Sequence, residues 1–126
     1  MIALDTSVLV GCFTGPRPLA SALRRVLDGG ELLAVPAIVL YEWLRGPRLP
    51  TELADQEAIL PAEQSLRFGP REAAASAQLY RSVPRARGRE FDLAIAACAL
   101  THQAALWTLN ASDFRDIPGL RLFSPR

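Results

Sequence analysis

The chain contains no lysine, so all 14 of its basic side chains are arginines. This absence excludes P-loop nucleotidases, Schiff-base enzymes and any other site that needs a catalytic lysine. Histidine is almost absent as well, because His102 is the only one. A histidine-ligated zinc site and a Ser-His-Asp triad are therefore excluded as working hypotheses. The guanidinium groups that remain suit bidentate contacts with phosphate.

Cysteines and long apolar runs are also scarce. Cys12 and Cys98 are the only two cysteines, which argues against a disulfide scaffold and favours a reduced, cytoplasmic protein. Cys98 lies in an alanine-rich run and is expected in the core. Because Asp, Glu or Arg interrupts every apolar stretch, we expect neither a signal peptide nor a membrane span. The net charge of +1 gives no general attraction to nucleic acid, so RNA binding would need a local patch.

A length of 126 residues suits one domain, spanning 1–126. Short apolar strands alternate with helical patterns along it. Strands are predicted at 2–4, 32–35, 105–109 and 120–123, with a short extended piece at 66–68. Helices are predicted at 19–27, 36–45, 51–59, 70–82 and 90–102. This alternation predicts an α/β fold with a mainly parallel sheet and helices on both faces.

Four acidic residues stand out against apolar surroundings. Asp5 follows the first strand directly, and open α/β sheets bind ligands outside the carboxyl ends of their strands. Glu42, Asp92 and Asp113 are each flanked by apolar residues that should point into the core. If the fold gathers all four, their oxygens would suit Mg²⁺ or Mn²⁺, which would also offset their mutual repulsion. Such a site supports phosphodiester hydrolysis.

Neighbouring polar residues could support these acids. Thr6 and Thr108 would hold carboxylates in place, and the hydroxyl of Ser7 could also orient Asp5. Asn110 could add a neutral hydrogen bond to the site or to the substrate.

Each acid taken alone also has a simpler explanation. Asp5 and Asp113 could cap a helix or a turn, and Glu42 could be a solvated helix residue. Asp92 could be an acid favoured by the dipole at the start of a helix. Their joint placement is what favours a shared site.

A second group of residues is basic and lies just before Asp92. Arg81, Arg85, Arg87 and Arg89 could hold an RNA backbone over the acids. The alternative is a solvated loop whose charges only aid solubility.

These motifs together resemble the PIN domain family, and within it the ribonuclease toxins of VapB–VapC toxin–antitoxin pairs. The resemblance spans nearly the whole chain, in the family's order and approximate spacing. The matching segments are 3–9, 41–42, 91–97, 107–110, 113–114 and 117–122.

The resemblance implies a PIN-like α/β/α sandwich and an endoribonuclease that depends on Mg²⁺ or Mn²⁺. It also implies a homodimer that is inhibited by a small antitoxin. The three firm acids of the family correspond to Asp5, Glu42 and Asp92. The fourth position varies in the family and is assigned here to Asp113, with Asn110 as a supporting group.

A partner of this kind needs a docking surface. The helices at 36–45 and 51–59 carry more apolar side chains than one buried face requires, so we expect an apolar groove there that accepts a segment of the antitoxin. The residues concerned are Ile38, Val39, Leu40, Trp43, Leu44, Leu53, Ile59 and Leu60.

Other functions fit the residues less well. Haloacid-dehalogenase-like phosphatases need a second aspartate two residues after the first, and Ser7 stands there. Response-regulator receivers need the missing lysine. A PIN-type nuclease of RNA processing or decay, or a PIN-like RNA-binding module without catalysis, remains the alternative to a toxin.

Overall fold

The computed structural model describes residues 1–125 and is built on a parallel sheet of four strands. The strands are β1 (Ile2–Leu4), β2 (Leu33–Ala34), β3 (Ala105–Trp107) and β4 (Leu122–Phe123). Every pairing is parallel, and the strand order is β2-β1-β3-β4. The predicted α/β class and parallel sheet are confirmed. β1 has the predicted bounds, whereas the other three strands are shorter than predicted. The extended piece at 66–68 makes a single bridge, between Pro36 and Leu66.

Six α-helices accompany the sheet in the described part of the chain. They are α1 (Thr6–Phe13), α2 (Ala20–Asp28), α3 (Ala37–Leu44), α4 (Pro50–Ile59), α5 (Pro70–Ser82) and α6 (Glu90–Thr101). Five of them match predicted helices to within one or two residues at each end. Two short 3₁₀ turns cover Ala62–Gln64 and Ala111–Asp113. None of these helices has the length and apolar character needed to cross a bilayer.

Helix α1 is absent from the sequence prediction, which assigns no element to residues 6–14. The structure shows that Asp5 is its N-cap and accepts a hydrogen bond from the backbone N–H of Thr6 at 2.8 Å. Val8 and Leu9 on one turn and Cys12 and Phe13 on the next are all buried. This spacing of one turn is a helical signal, and Asp5 is a favoured capping residue. The proposed capping role of Asp5 is thus correct, and it coexists with its place in the acidic cluster described below.

The strand order fixes where a ligand would lie. β2 lies on one side of β1, and the next strand along the chain, β3, lies on the other side. Right-handed crossovers in such a sheet place the connecting helices on opposite faces. A crevice then opens at the carboxyl ends of β1 and β3, where the order reverses. Asp5 follows β1 and Thr108 follows β3, so both lie at this edge.

The core is apolar, and its few polar groups are paired. Trp43 and Trp107 are fully buried, and Trp43 donates its indole N–H to Gln56 Oε1 at 3.0 Å. Gln56 in turn donates to the carbonyl of Leu60. Helix α6 is buried along Leu93–Ala99, including Cys98 as expected, because its alanines let it pack closely on several sides. This central helix brings Asp92 in its first turn to the sheet edge.

Candidate active site

Asp5 is the most buried acid of the cluster and is held by three hydrogen bonds. Its Oδ1 accepts from the backbone of Thr6, and its Oδ2 accepts from Ser7 Oγ at 3.0 Å and from Thr108 Oγ1 at 2.7 Å. Ser7 Oγ also accepts from the backbone N–H of Leu109 at 3.0 Å. The carboxylate is therefore fixed between the ends of β1 and β3. The roles expected of Ser7 and Thr108 in orienting it agree with this geometry.

Glu42 joins the same network from α3. Its Oε1 accepts a hydrogen bond of 2.6 Å from Thr6 Oγ1, while Thr6 N–H binds Asp5. Thr6 thus connects two acids that lie 37 positions apart in the sequence. The other oxygen of Glu42, Oε2, is 3.8 Å from Arg45 Nη2. Sequence analysis did not single out Arg45, although its position three residues after Glu42 on one helix makes such a contact possible.

Asp92 is electrostatically coupled to the other three acids. Partial burial, followed by the negative charges of Asp5, Asp113 and Glu42, raises its pKa from 3.8 to about 6, although Arg89 acts in the opposite direction. A carboxyl group whose pKa is raised by neighbouring negative charges is common in functional sites. The structure therefore brings Asp5, Glu42 and Asp113 within range of the charge of Asp92.

Asp113 is the outermost of the four. It is exposed and ends the 3₁₀ turn Ala111–Asp113. Asn110 precedes this turn, and its backbone N–H donates to Thr108 Oγ1 at 3.0 Å while its carbonyl accepts from Asp113 N–H. The contacts that the structure gives Asn110 are thus made by its backbone, which steadies Thr108 and the turn.

The basic loop divides into free and paired arginines. Arg81, Arg85 and Arg87 are exposed. Arg89 forms a bidentate pair with Asp116, at 2.7 and 2.9 Å, and also donates to the carbonyl of Asp113 at 3.0 Å. Its hydrogen bond lowers the pKa of Asp116.

Arg89 therefore ties the start of α6 to the turn that carries Asp113. The sequence suggested Arg89 only as an RNA ligand, and Asp116 was not considered. Its guanidinium is already engaged by protein groups, which makes Arg89 a positioning residue for the cluster.

Comparison with known proteins agrees with this architecture. The family model described as "PIN domain" matches residues 2–120. The chain belongs to the PIN domain family. Ribonuclease VapC19 of Mycobacterium tuberculosis is 33% identical over 128 residues, which cover 96% of this chain and 98% of the relative.

Two solved structures share the PIN fold seen here. A chain of VapBC2 from Rickettsia felis, crystallised with a DNA fragment from its promoter, gives a TM-score of 0.73 at 19% identity and covers 100% of both chains. A chain of FitAcB from Neisseria gonorrhoeae gives a TM-score of 0.72 at 24% identity and covers 99% of this chain and 98% of its own. These likenesses confirm the predicted PIN-like fold.

The donor set of this PIN domain fits a hydrated divalent cation. Within residues 1–125, no three acidic, histidine or cysteine side chains lie close enough to hold one ion between them. Mg²⁺ commonly keeps several waters and binds through only one or two carboxylates, so a tight cage is not required. The raised pKa of Asp92 shows negative charge that a cation would offset. The oxygen-only donors favour Mg²⁺ or Mn²⁺ over zinc.

The shifted pKa predicts how stability depends on pH in the absence of metal. Because the folded-state pKa of Asp92 is about 6 and its ordinary value is 3.8, the folded protein favours the protonated form. The resulting stabilisation is complete below pH 3.8 and is lost as the pH rises through about 6. Asp92→Asn, which mimics the protonated acid, should therefore be more stable than wild type above pH 6 and no more stable near pH 3.8.

The measurement is a urea or thermal melt of both proteins in EDTA across this pH range. The pH dependence of the difference between the curves therefore reports the titration of Asp92 together with its coupling to the neighbouring acids. If the difference in stability between Asp92→Asn and wild type stays constant with pH, Asp92 is not coupled to the other acids.

Proposed function

We propose that this PIN domain is an endoribonuclease that depends on Mg²⁺ or Mn²⁺ and acts as the toxin of a type II toxin–antitoxin pair. One observation carries the proposal: Thr6 bridges Asp5 and Glu42 at the carboxyl edge of the sheet, close enough to Asp92 that partial burial, followed by the charges of Asp5, Asp113 and Glu42, raises the pKa of Asp92. The relative named Ribonuclease VapC19 supports RNA as the substrate. The catalytic and metal-holding residues are Asp5, Glu42, Asp92 and Asp113.

A bound divalent cation would supply positive charge to the phosphate and make water a stronger nucleophile. The residues of the chain provide the rest. Asp5 and Glu42 are held by hydroxyl groups in fixed orientations, which keeps the site preorganised. Asp92 loses its proton at a higher pH than an ordinary aspartate, so protons compete with the cation there.

The exposed arginines give the RNA backbone a place to bind. Arg81, Arg85 and Arg87 lie on the end of α5 and the loop that leads to α6. Arg89 anchors the end of this loop through Asp116, and the three exposed arginines would face the RNA. Their contacts with phosphate would place the scissile bond without reading its sequence.

The structure shows which residues of the expected antitoxin groove are accessible. Val39, Trp43 and Leu60 are buried in the core, and Leu44 is exposed. A cleft of about 420 Å³ lies between α1 and α2, bordered by the end of α4. Its lining includes Phe13, Leu23, Leu27 and Ile59, and of the predicted residues Ile59 lines this cleft.

We propose that a helix or strand of the antitoxin fills this cleft, and that the protein works as a homodimer in the cytoplasm. The likeness to chains of VapBC2 and FitAcB supports the fold that such a complex needs. The buried, unpaired state of Cys12 and Cys98 fits a reducing compartment.

The direct test uses purified protein freed of any partner. It should cleave single-stranded or structured RNA in Mg²⁺ or Mn²⁺, and EDTA should stop cleavage. The readout is the appearance of discrete fragments on a gel. Unchanged cleavage in EDTA would refute the metal-dependent mechanism, and RNA that binds but is never cut would favour a binding module.

A further inference from the structure

Two exposed aromatic rings lie against each other beside the acids. The ring centroids of Tyr41 and Phe91 are 6.1 Å apart, with an angle of 28° between the planes. The two residues are 54% and 43% exposed, so about half of each is open to solvent. Tyr41 directly precedes Glu42, and Phe91 directly precedes Asp92. The stacked pair therefore joins α3 to α6 at the rim of the acidic cluster.

Arg45 completes this surface. Its guanidinium carbon lies 5.4 Å from the centroid of Tyr41 and 5.7 Å from that of Phe91, which is within the range of cation–π attraction. The same guanidinium is 3.8 Å from Glu42. A positive charge is thus held between two π faces and one of the acids. We call Tyr41, Phe91 and Arg45 the aromatic platform.

We propose that the aromatic platform stacks an unpaired RNA base next to the scissile phosphate. The inference rests on the proposed ribonuclease function and deepens it, because it names residues outside the four acids that would position the RNA base beside the cleaved bond. A base whose ring lies on Tyr41 or Phe91 would have its phosphate near Glu42 and Asp92. Paired bases are stacked on one another and cannot reach such a platform, whereas the bases of loops and ends can.

The position of the platform favours RNA over a protein partner. Tyrosine, phenylalanine and arginine are common at protein interfaces as well, so it is the place of these groups beside the acids that decides. Arginine and aromatic faces are the groups on which single-stranded nucleic acids stack. Its contact with Glu42 makes it continuous with the catalytic cluster, whereas the apolar cleft is lined from α1, α2 and the end of α4.

The test measures binding without cleavage. A short single-stranded RNA carrying a fluorescent purine analogue is titrated with the protein in EDTA, and both the dissociation constant and the quenching of the analogue are recorded. Stacking on the platform should quench the analogue at one position in the oligonucleotide. Tyr41→Leu and Phe91→Leu should each weaken binding about 10-fold and abolish the quenching. Tyr41→Phe, which keeps the ring, should behave as wild type.

The matched control is Leu32→Ala. Leu32 is an exposed apolar residue just before β2, at the opposite edge of the sheet from the acids, and its loss should change neither signal. If wild type, Tyr41→Leu and Phe91→Leu bind the RNA and quench the analogue equally, the proposal that the platform stacks a base is refuted. Normal RNA binding by these variants together with failure to bind a partner protein would assign the surface to that partner instead.

The same variants separate this inference from the proposed function. If wild-type protein cleaves RNA in Mg²⁺ and the leucine variants cleave it with an unchanged KM, base stacking on the platform is refuted and the ribonuclease function is supported. If no variant cleaves RNA but the ring-dependent quenching persists, the platform stands as an RNA-binding surface without catalysis.

Discussion

Asp5→Ala, Glu42→Ala and Asp92→Asn should each reduce the rate of RNA cleavage by at least about 100-fold. Each substitution removes a fixed negative charge from a site where the four acids act on one another. Asp5 and Glu42 accept hydrogen bonds from different groups of Thr6, so losing either acid leaves one donor of Thr6 without that partner and loosens the bridge between them. The measurement is the initial rate of cleavage of one RNA in saturating Mg²⁺ or Mn²⁺.

Asp113→Asn should have a smaller effect than the other three. Asp113 is exposed at the end of a 3₁₀ turn, where water can replace one of its oxygens. If Asp113→Asn lowers the cleavage rate as much as Asp92→Asn does, Asp113 is as essential as the other three acids.

Asp28→Asn provides the control for these substitutions. Asp28 is an exposed acid at the end of α2, and its pair with Arg24 is long at 3.9 Å. Cleavage by this variant should equal that of wild type. A thermal melt adds a second measurement, because Mn²⁺ at about 100 times its dissociation constant should stabilise wild type by about 2.7 kcal/mol. Equal stabilisation of Asp5→Asn by Mn²⁺ would show that the acids do not form a shared metal site.

Much of this architecture follows from short-range sequence signals. Proline and glycine mark the helix boundaries, and helix α5 (Pro70–Ser82) has the bounds that were predicted. The four acids could be found because each interrupts an apolar segment and matches a family motif. Helix α1 was not predicted, although a capping role was named for Asp5, because its eight residues carry only two turns of the helical pattern.

The remaining differences come from contacts between distant parts of the chain. Arg89 and Asp116 lie 27 positions apart, and nothing local in the sequence pairs them. The stacking of Tyr41 on Phe91 depends on how α3 meets α6, which residue spacing does not specify. The burial of part of the expected groove has a similar cause: Val39 and Trp43 are covered by the core, while a cleft is open where α2 and the end of α4 border α1.

Expression of this chain alone should arrest the growth of a bacterial host, and co-expression of the neighbouring antitoxin gene should restore it. Arrest should disappear with Asp5→Ala, because growth inhibition then depends on RNA cleavage. The measurement is the count of viable cells after induction. Arrest that persists with Asp5→Ala would refute the toxin mechanism, and a chain harmless in several hosts would favour RNA processing or decay.

The proposed antitoxin cleft makes a sharper version of this prediction possible. Leu27 and Ile59 line the cleft and are 37% and 46% exposed, so a glutamate can replace either without entering the core. Leu27→Glu and Ile59→Glu should still arrest growth, but the antitoxin should no longer restore it, because a buried charge without a partner weakens an apolar interface strongly. Leu49→Glu, at an exposed position outside the cleft lining, is the control and should be restored like wild type. Full restoration of both cleft variants would place the antitoxin on a different surface while leaving the ribonuclease assignment intact.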